Sequence, residues 1–124
     1  MDITPFIPKE KLVINRYGNG GFIINDTTYK GSIIIFANRV VQWSVEEFKD
    51  LSAESLKMIF ESKPSPELVL MGTGKQFLPL SPNFRAAFRE HSIAVDSMDT
   101  GAACRTYDVL LSEERHVVAA LIAI

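Results

Sequence analysis

The spacing of apolar residues changes after the first third of the chain. In that first third, short runs rich in β-branched residues are separated by pairs of turn-forming residues. Runs of this length joined by tight turns are typical of an antiparallel β meander. The predicted strands span 12–17, 20–25, 33–36 and 40–43, with turns at Gly18-Asn19, Asn25-Asp26-Thr27 and Asn38-Arg39.

Helical spacing begins after residue 43. Ser44 and Glu47 stand three positions apart, as in a capping box, and this pair predicts a helix start. From Ser52 onward, apolar residues recur at the i, i+3 and i+4 positions that form one face of a helix. These residues are Leu56, Ile59 and Phe60. The prolines of Lys63-Pro64-Ser65-Pro66 end this predicted helix, because proline cannot continue the hydrogen-bond ladder.

Strands and helices alternate in the rest of the chain. Ser81-Pro82 combines a favoured N-cap residue with proline at the first helical position, and a third helix is predicted to begin near Asp99-Thr100. Apolar runs at 67–71, 93–95 and 116–124 are predicted to be strands. The order β-α-β-α-β requires crossover helices and parallel pairing of at least two strands. The pattern therefore predicts an α/β fold.

Composition limits the class of protein. At 124 residues the chain fits one domain, residues 1–124, since domains usually have about 100–150 residues. A hydrophobic fraction of 47% and a charged fraction of 23% are typical of globular proteins. The formal charge of −2 gives no electrostatic basis for binding nucleic acid.

The sequence also predicts a cellular location. The single cysteine, Cys104, fits a reducing compartment. Met1–Pro8 lacks the basic and continuous apolar regions of a secretory signal. The longest apolar stretch outside the C-terminus, residues 33–37, is far shorter than the roughly 20 residues that a spanning helix needs. We therefore expect a soluble, cytoplasmic protein without membrane insertion.

One candidate ligand site follows the predicted strand 67–71. Gly72, Thr73, Gly74 and Lys75 (glycine loop 1, residues 72–75) lie where ligands bind in open α/β sheets, beyond the carboxyl end of a strand. The loop lacks the third glycine of a dinucleotide fingerprint and the Gly-Lys-Ser/Thr of a phosphate-binding loop. The alternative is a tight turn that needs glycine for a positive φ.

A second candidate combines a strand end with a helix start. Asp99, Thr100, Gly101 and Arg105 belong to this segment (glycine loop 2, residues 99–105), whose N–H groups could receive an anion. The alternative is that Asp99 or Thr100 is a plain N-cap, and that a neighbouring strand approaches the small residues. If both glycine loops lie at one sheet edge, Lys75 and Arg105 could supply positive charge to a small anion.

The other chemistry-bearing residues form no catalytic or metal-binding pattern. Cys104 is predicted to be buried and structural. His91 and His116 lie in polar stretches without a signature that connects them to a nucleophile or to metal ligands. We therefore predict no catalytic residue, no metal and no cofactor.

Several stretches together resemble one known family. They are Tyr17-x-x-Gly20-Gly21-Phe22, Tyr29-x-Gly31-Ser32, Gly72-Thr73-Gly74-x-x-x-x-Pro79, Met98-Asp99-Thr100-x-Ala102-Ala103-x-x-Thr106-Tyr107-Asp108 and Glu114-Arg115-x-Val117-x-Ala119-Ala120-Leu121. The chain is similar along nearly its whole length to the small-domain family that includes the mitochondrial assembly factor of NADH dehydrogenase (respiratory complex I). The family also contains an adipogenesis-associated protein and many uncharacterised bacterial and archaeal members.

The resemblance implies a three-layer α/β fold with a mixed central sheet and an extra β-hairpin layer, and it carries over no catalytic residue. It implies a bacterial-type member, since Met1 stands close to the start of the domain. Two hypotheses follow. The first is a non-enzymatic protein-interaction or assembly factor with a protein partner. The alternative is an anion-binding domain or an unrecognised enzyme that uses the loops at 72–75 and 99–105.

Overall fold

The computed structural model describes residues 11–124, so the predicted absence of a signal at Met1–Pro8 lies outside the described residues. The strands are β1 (Ile14–Gly18), β2 (Gly21–Ile24), β3 (Thr27–Lys30), β4 (Ile33–Ile35), β5 (Val40–Gln42), β6 (Leu68–Gly72), β7 (Ala94–Met98) and β8 (Val117–Leu121). The α-helices are α1 (Lys57–Phe60), α2 (Pro82–Glu90) and α3 (Thr100–Ser112). Short 3-10 helices span Phe48–Asp50 and Glu54–Leu56.

The strands form two sheets. A three-stranded antiparallel sheet has the order β1-β2-β3, and a five-stranded sheet has the order β5-β4-β8-β6-β7. In the larger sheet β6 pairs in parallel with both β7 and β8, whereas β4 pairs antiparallel with β5 and β8. The predicted α/β fold with a mixed central sheet, crossover helices and an N-terminal meander is confirmed.

Strand β8 shows how the layers are built. All five of its residues are buried, because it lies between β4 and β6 and is covered on both faces. Val117, Ala119 and Leu121 face α3 and the three-stranded sheet. Val118, Ala120 and the following Ile122 face the layer that holds α1 and α2. The molecule therefore has three layers, with the five-stranded sheet in the middle.

Two polar contacts join α3 to the three-stranded sheet. The Asp108 carboxylate accepts a hydrogen bond from the Ile14 N–H at 2.9 Å. One turn earlier on α3, the Arg105 guanidinium donates to the Tyr17 hydroxyl at 2.5 Å. Both contacts reach β1, so they fix the position of β1 along the helix.

The predicted helix start at Ser44 is wrong. The first helical residues are Phe48–Asp50, and the capping box forms between Glu47 and Asp50, whose carboxylate accepts from the Glu47 N–H at 3.1 Å. Ser44 stays outside any helix, and the side chain of the next residue, Val45, is buried in the core. The helix predicted from Ser52 onward forms later, from Glu54, and begins as a 3-10 helix.

The sequence prediction also missed β3. Asn25 and Asp26 both have positive φ (46° and 70°), as in a two-residue hairpin turn, so Thr27 already belongs to the next strand. Thr27 and Thr28 are exposed, and this polar strand lacks the apolar run on which the prediction relied. The helix starts are confirmed, because Ser81 Oγ accepts from Phe84 N at 3.3 Å and Asp99 accepts from Ala102 N at 2.9 Å.

Within residues 11–124, no helix is both long and apolar enough to cross a membrane.

The Asp108 contact predicts a pH-dependent stability. Burial raises the pKa of Asp108 from 3.8 to about 6, although the hydrogen bond from Ile14 acts in the opposite direction. The folded protein therefore holds this proton more tightly than the unfolded chain, and stability falls as pH rises through this interval. Asp108→Asn keeps an acceptor and cannot ionise, so we expect it to match the wild type below about pH 3 and to be about 1–2 kcal/mol more stable at pH 7. Denaturation at a series of pH values measures this, and parallel profiles for the two proteins would contradict it.

Cys104 is predicted to react slowly in the folded protein. Its side chain is buried on α3, and burial, with a smaller effect from Asp108, raises the pKa of the thiol to about 12. Because the thiolate is the reactive form, we expect a thiol reagent to label the native chain far more slowly than the chain in denaturant. Labelling of the native chain at the rate of a free thiol would show that Cys104 is accessible.

Candidate functional site

The two glycine loops contact each other directly. The Gly74 N–H donates to Thr100 Oγ1 at 3.0 Å, and the Thr100 N–H donates back to the Gly74 carbonyl at 2.9 Å. This confirms the prediction that both loops emerge at one edge of the sheet, which follows from the parallel pairing of β6 and β7. These two reciprocal hydrogen bonds, which we call the seam, join the glycine loops.

Thr100 also binds a third segment of chain at this edge. Its hydroxyl donates to the Ile122 carbonyl at 2.7 Å, and the Ile122 N–H donates to the Gly72 carbonyl at 3.0 Å. Thr100 is completely buried. A Cβ on Gly72 would lie 3.0 Å from Thr100 Oγ1 and 3.1 Å from its Cα. Gly72 is therefore required by the close approach of α3.

The small residue Gly101 makes room for a side chain of the three-stranded sheet. A Cβ at Gly101 would lie 2.9 Å from the Tyr17 hydroxyl. The small residues of this segment could make room for a ligand or for a neighbouring strand, and the structure shows a strand residue, Tyr17 of β1, at Gly101. Arg105, which was predicted to supply positive charge to an anion between the glycine loops, donates to that same Tyr17 hydroxyl. Its guanidinium is therefore already hydrogen-bonded to a residue of β1.

The backbone N–H groups at the start of α3 are largely occupied. The N–H groups of Thr100, Ala102 and Ala103 donate respectively to the Gly74 carbonyl, the Asp99 carboxylate and the Asp99 carbonyl. Gly74 has φ of +107°, in line with the tight-turn alternative, and Lys75 is exposed beside it. Anion binding by glycine loops 1 and 2 stays a prediction, and an anion there would have to compete with these internal bonds.

The same edge carries an exposed apolar segment, residues 75–79, which we call the apolar loop. All five of its residues are exposed, with Phe77 at 56% and Leu78 at 36%. Its backbone is held by the buried Thr73 side chain, whose hydroxyl donates to the Gln76 carbonyl at 2.6 Å and accepts from the Leu78 N–H at 3.1 Å. The loop therefore presents two large apolar side chains on an ordered backbone.

Sequence reasoning did not select Phe77 and Leu78. A signal was available, because these adjacent apolar residues stand between Gly74 and Pro79, outside any run with strand or helix spacing. Apolar residues in such a connection have no predicted core face to occupy.

The remaining polar residues form no metal or nucleophile cluster in the described part of the chain. Among residues 11–124, no group of three or more His, Cys, Asp or Glu side chains is placed to hold a metal ion. His91 stacks on Phe60 at 4.3 Å between ring centroids, and its Nδ1 lies 2.9 Å from the Ala87 carbonyl. His116 lines a surface cavity of about 1000 Å³.

That cavity extends along the β4–β5 side of the central sheet, whereas the glycine loops follow β6 and β7 on the other side. It is lined by residues that follow β4, including Phe36 and Arg39, and by residues that precede β6 and β8, including Lys63 and His116. We call it the basic cavity. A smaller depression of about 320 Å³ lies on the three-stranded sheet.

Comparison with known proteins gives relatives along most of the chain. The NADH dehydrogenase [ubiquinone] 1 alpha subcomplex assembly factor 3 of Xenopus tropicalis is 36% identical over 113 residues, which cover 91% of this chain and 62% of that protein. The chain thus spans less than two thirds of the length of this relative. The 13 kDa major membrane protein of Francisella tularensis subsp. holarctica is 30% identical over 105 residues, covering 82% of this chain and 83% of that protein.

A solved structure shows the same fold. An outer membrane protein from Bartonella henselae superposes with a TM-score of 0.85 at 36% identity, covering 95% of this chain and 98% of that one. The family model described as "Protein of unknown function (DUF498/DUF598)" matches residues 14–122. With the match extending from β1 to the residue after β8, the chain belongs to the DUF498/DUF598 family.

Proposed function

We propose that this protein is a non-enzymatic assembly or interaction factor that binds a protein partner through the apolar loop. The observation that carries the proposal is the exposure of Phe77 and Leu78 on a backbone that Thr73 holds in place. Aromatic and large apolar side chains are enriched at the centres of protein interfaces, where they dominate the binding energy.

An ordered loop suits this role because binding then costs little additional ordering. Immobilising flexible segments reduces the affinity of an interface, and a preorganised loop avoids much of that cost. Here the seam between Gly74 and Thr100 holds one end of the apolar loop, and Leu80, which is buried, holds the other. The partner would supply an apolar pocket for Phe77, with Lys75 at its rim.

The names of relatives supply a more specific form of the proposal. Relatives along 91% of this chain are named as assembly factors of NADH dehydrogenase. We infer that the partner of this chain is a subunit or an assembly intermediate of that complex. The matched region is about three fifths of the relative. The proposal of an NADH dehydrogenase partner therefore requires that the shared domain is the part of the relative that binds the complex.

The predicted cytoplasmic location stays part of the proposal. Two bacterial relatives are described as membrane proteins, and binding to a membrane-bound partner would place this chain at a membrane surface without requiring a spanning helix within residues 11–124. Fractionation of cells with and without the partner separates the two locations.

The alternative hypothesis is a small anion bound by glycine loops 1 and 2, near Lys75. The closeness of the loops favours it, and their internal hydrogen bonds oppose it. A bound anion raises the unfolding temperature by mass action. We expect sodium phosphate and sodium chloride at equal ionic strength to give the same unfolding midpoint. A higher midpoint in phosphate, together with shifts of the Gly74 and Gly101 amide signals, would instead establish the anion site.

Phe77→Ala tests the role of the apolar loop. Because Phe77 is exposed, we expect the free energy of unfolding to change by less than about 0.5 kcal/mol. Loss of an interface hot spot should weaken partner binding by about tenfold or more. Val109→Ala is the matched control, since Val109 is 52% exposed on α3 outside the apolar loop.

Partner binding is measured with a photo-crosslinking amino acid in place of the exposed Gln76, in cells of the source organism. We expect a protein adduct that Phe77→Ala reduces and Val109→Ala leaves unchanged. An adduct with an NADH dehydrogenase subunit supports the specific proposal. An equally sensitive adduct with an unrelated protein contradicts that specific form and keeps the interaction role. Equal adduct yields from all three chains would contradict the role of the apolar loop.

A further inference from the structure

Within residues 11–124, no strand pairs with the outer edge of β5, the edge strand of the central sheet. In the described part of the chain, β5 has β4 as its one strand partner. The Trp43 N–H donates to the Ser32 carbonyl and the Phe36 N–H donates to the Arg39 carbonyl. Residues 39, 41 and 43 therefore direct their backbone groups toward β4. Since these directions alternate along an antiparallel strand, Val40 and Gln42 direct theirs away from the sheet.

The basic cavity lies beside this edge. Arg39 and Trp43 line it and share one face of the β4–β5 hairpin, because they are four positions apart and every second side chain of a strand lies on the same side. Buried apolar side chains line its inner wall, among them Ile34, Phe36 and Trp43. Met58, which is 38% exposed, lies on the α1 side. An added strand next to β5 would place every second side chain in this cavity.

Positive charges outnumber negative charges around the cavity. Four cationic side chains and two carboxylates line it, although the whole chain has a formal charge of −2. The cationic residues are Lys11, Arg39, Lys57 and Lys63, and the carboxylates are those of Glu54 and Glu61. The Arg39 guanidinium lies 4.2 Å from the centroid of the Phe36 ring, which places this charge over the apolar wall. The cavity is therefore suited to a ligand with both acidic and apolar groups.

We propose that β5 and the basic cavity form a second interaction site, which binds an extended peptide segment of a partner protein that carries acidic and apolar residues two positions apart, on one face of the strand. The peptide pairs with the outward N–H and C=O groups of Val40 and Gln42, as in β-strand addition. On the face that enters the cavity, its acidic side chains lie near Arg39 and Lys57, and an apolar side chain packs on Trp43 and Met58. This site is separate from the apolar loop, so one chain has two binding surfaces.

The test uses the full chain and a fluorescent synthetic peptide, Glu-Thr-Val-Thr-Glu-Thr, which presents two glutamates and a valine on one face of a strand. Its comparison peptide has lysine in place of each glutamate, and a third peptide carries N-methyl groups on alternate amides, which removes strand pairing. We expect the acidic peptide to bind about tenfold more tightly than either comparison peptide. Arg39→Glu and Lys57→Glu should each weaken its binding by a similar factor. Arg85→Glu, an exposed arginine on α2 outside the cavity, is the control and should have no effect.

Amide NMR spectra locate the bound peptide. We expect the Val40 and Gln42 amide signals to shift and become protected from exchange, with the residue 75–79 signals unchanged. Absence of binding at millimolar peptide, equal binding of the acidic and lysine peptides, or shifts confined to residues 75–79 would each overturn the proposal. Binding only by a chain that lacks residues 1–10 would assign the site to the chain's own N-terminal segment. Shifts of Val40 and Gln42 that depend on protein concentration alone would assign it to a second copy. Either result would overturn the proposal that a partner's peptide binds here. None of these outcomes affects the crosslinking test of the apolar loop.

Discussion

One buried hydroxyl holds together the end of the sheet where the two glycine loops and the apolar loop lie. Thr100 accepts from the loop after β6, donates to the segment after β8 and opens α3. A valine there would leave the Gly74 N–H and the Ile122 carbonyl without their partner in a site that water does not reach, and unpaired buried polar groups are costly. The apolar loop begins at the residue after Gly74, so its position depends on this contact. Glycine loops that look like a ligand cradle in the sequence are thus explained in the structure by close packing around Thr100.

Two parts of the central sheet differ in chemistry. At the carboxyl ends of the parallel strands, an ordered loop presents apolar side chains to solvent. On the other side of the sheet, β5 is the edge strand of the described residues and lies beside a cavity with a cationic excess. These surfaces of different character fit the two binding roles that we propose. Such roles need no catalytic group, in keeping with sites built from packing and backbone pairing.

Much of the fold could be predicted from the sequence because local signals agreed with the global arrangement. Ser81-Pro82 and Asp99 cap their helices as their residue types favour, and the apolar run at β8 reflects a strand buried on both faces. The helix predicted at Ser44 does not form, because a cap contributes only about 1 kcal/mol and does not by itself determine where a helix begins; the capping box forms between Glu47 and Asp50 instead. The closeness of the glycine loops followed from parallel winding. That Tyr17 covers Gly101 could not be predicted, since it depends on how a separate sheet docks on α3.

The place of β8 in the sheet also determines when the fold can form. Ile33 of β4 pairs with Leu121 of β8, and β6 pairs with β8 along its whole length, so β4 and β6 are joined through β8, which follows the other strands of this sheet along the chain. Closing a loop of this size costs chain entropy before any contact compensates for it, which slows folding. While the ribosome is still making α3, the apolar edges of β4 and β6 have no partner on the side where β8 will lie. During synthesis, the nascent chain therefore exposes apolar strand edges that are prone to aggregate. A chaperone that protects these edges would have to bind before β8 emerges from the ribosome.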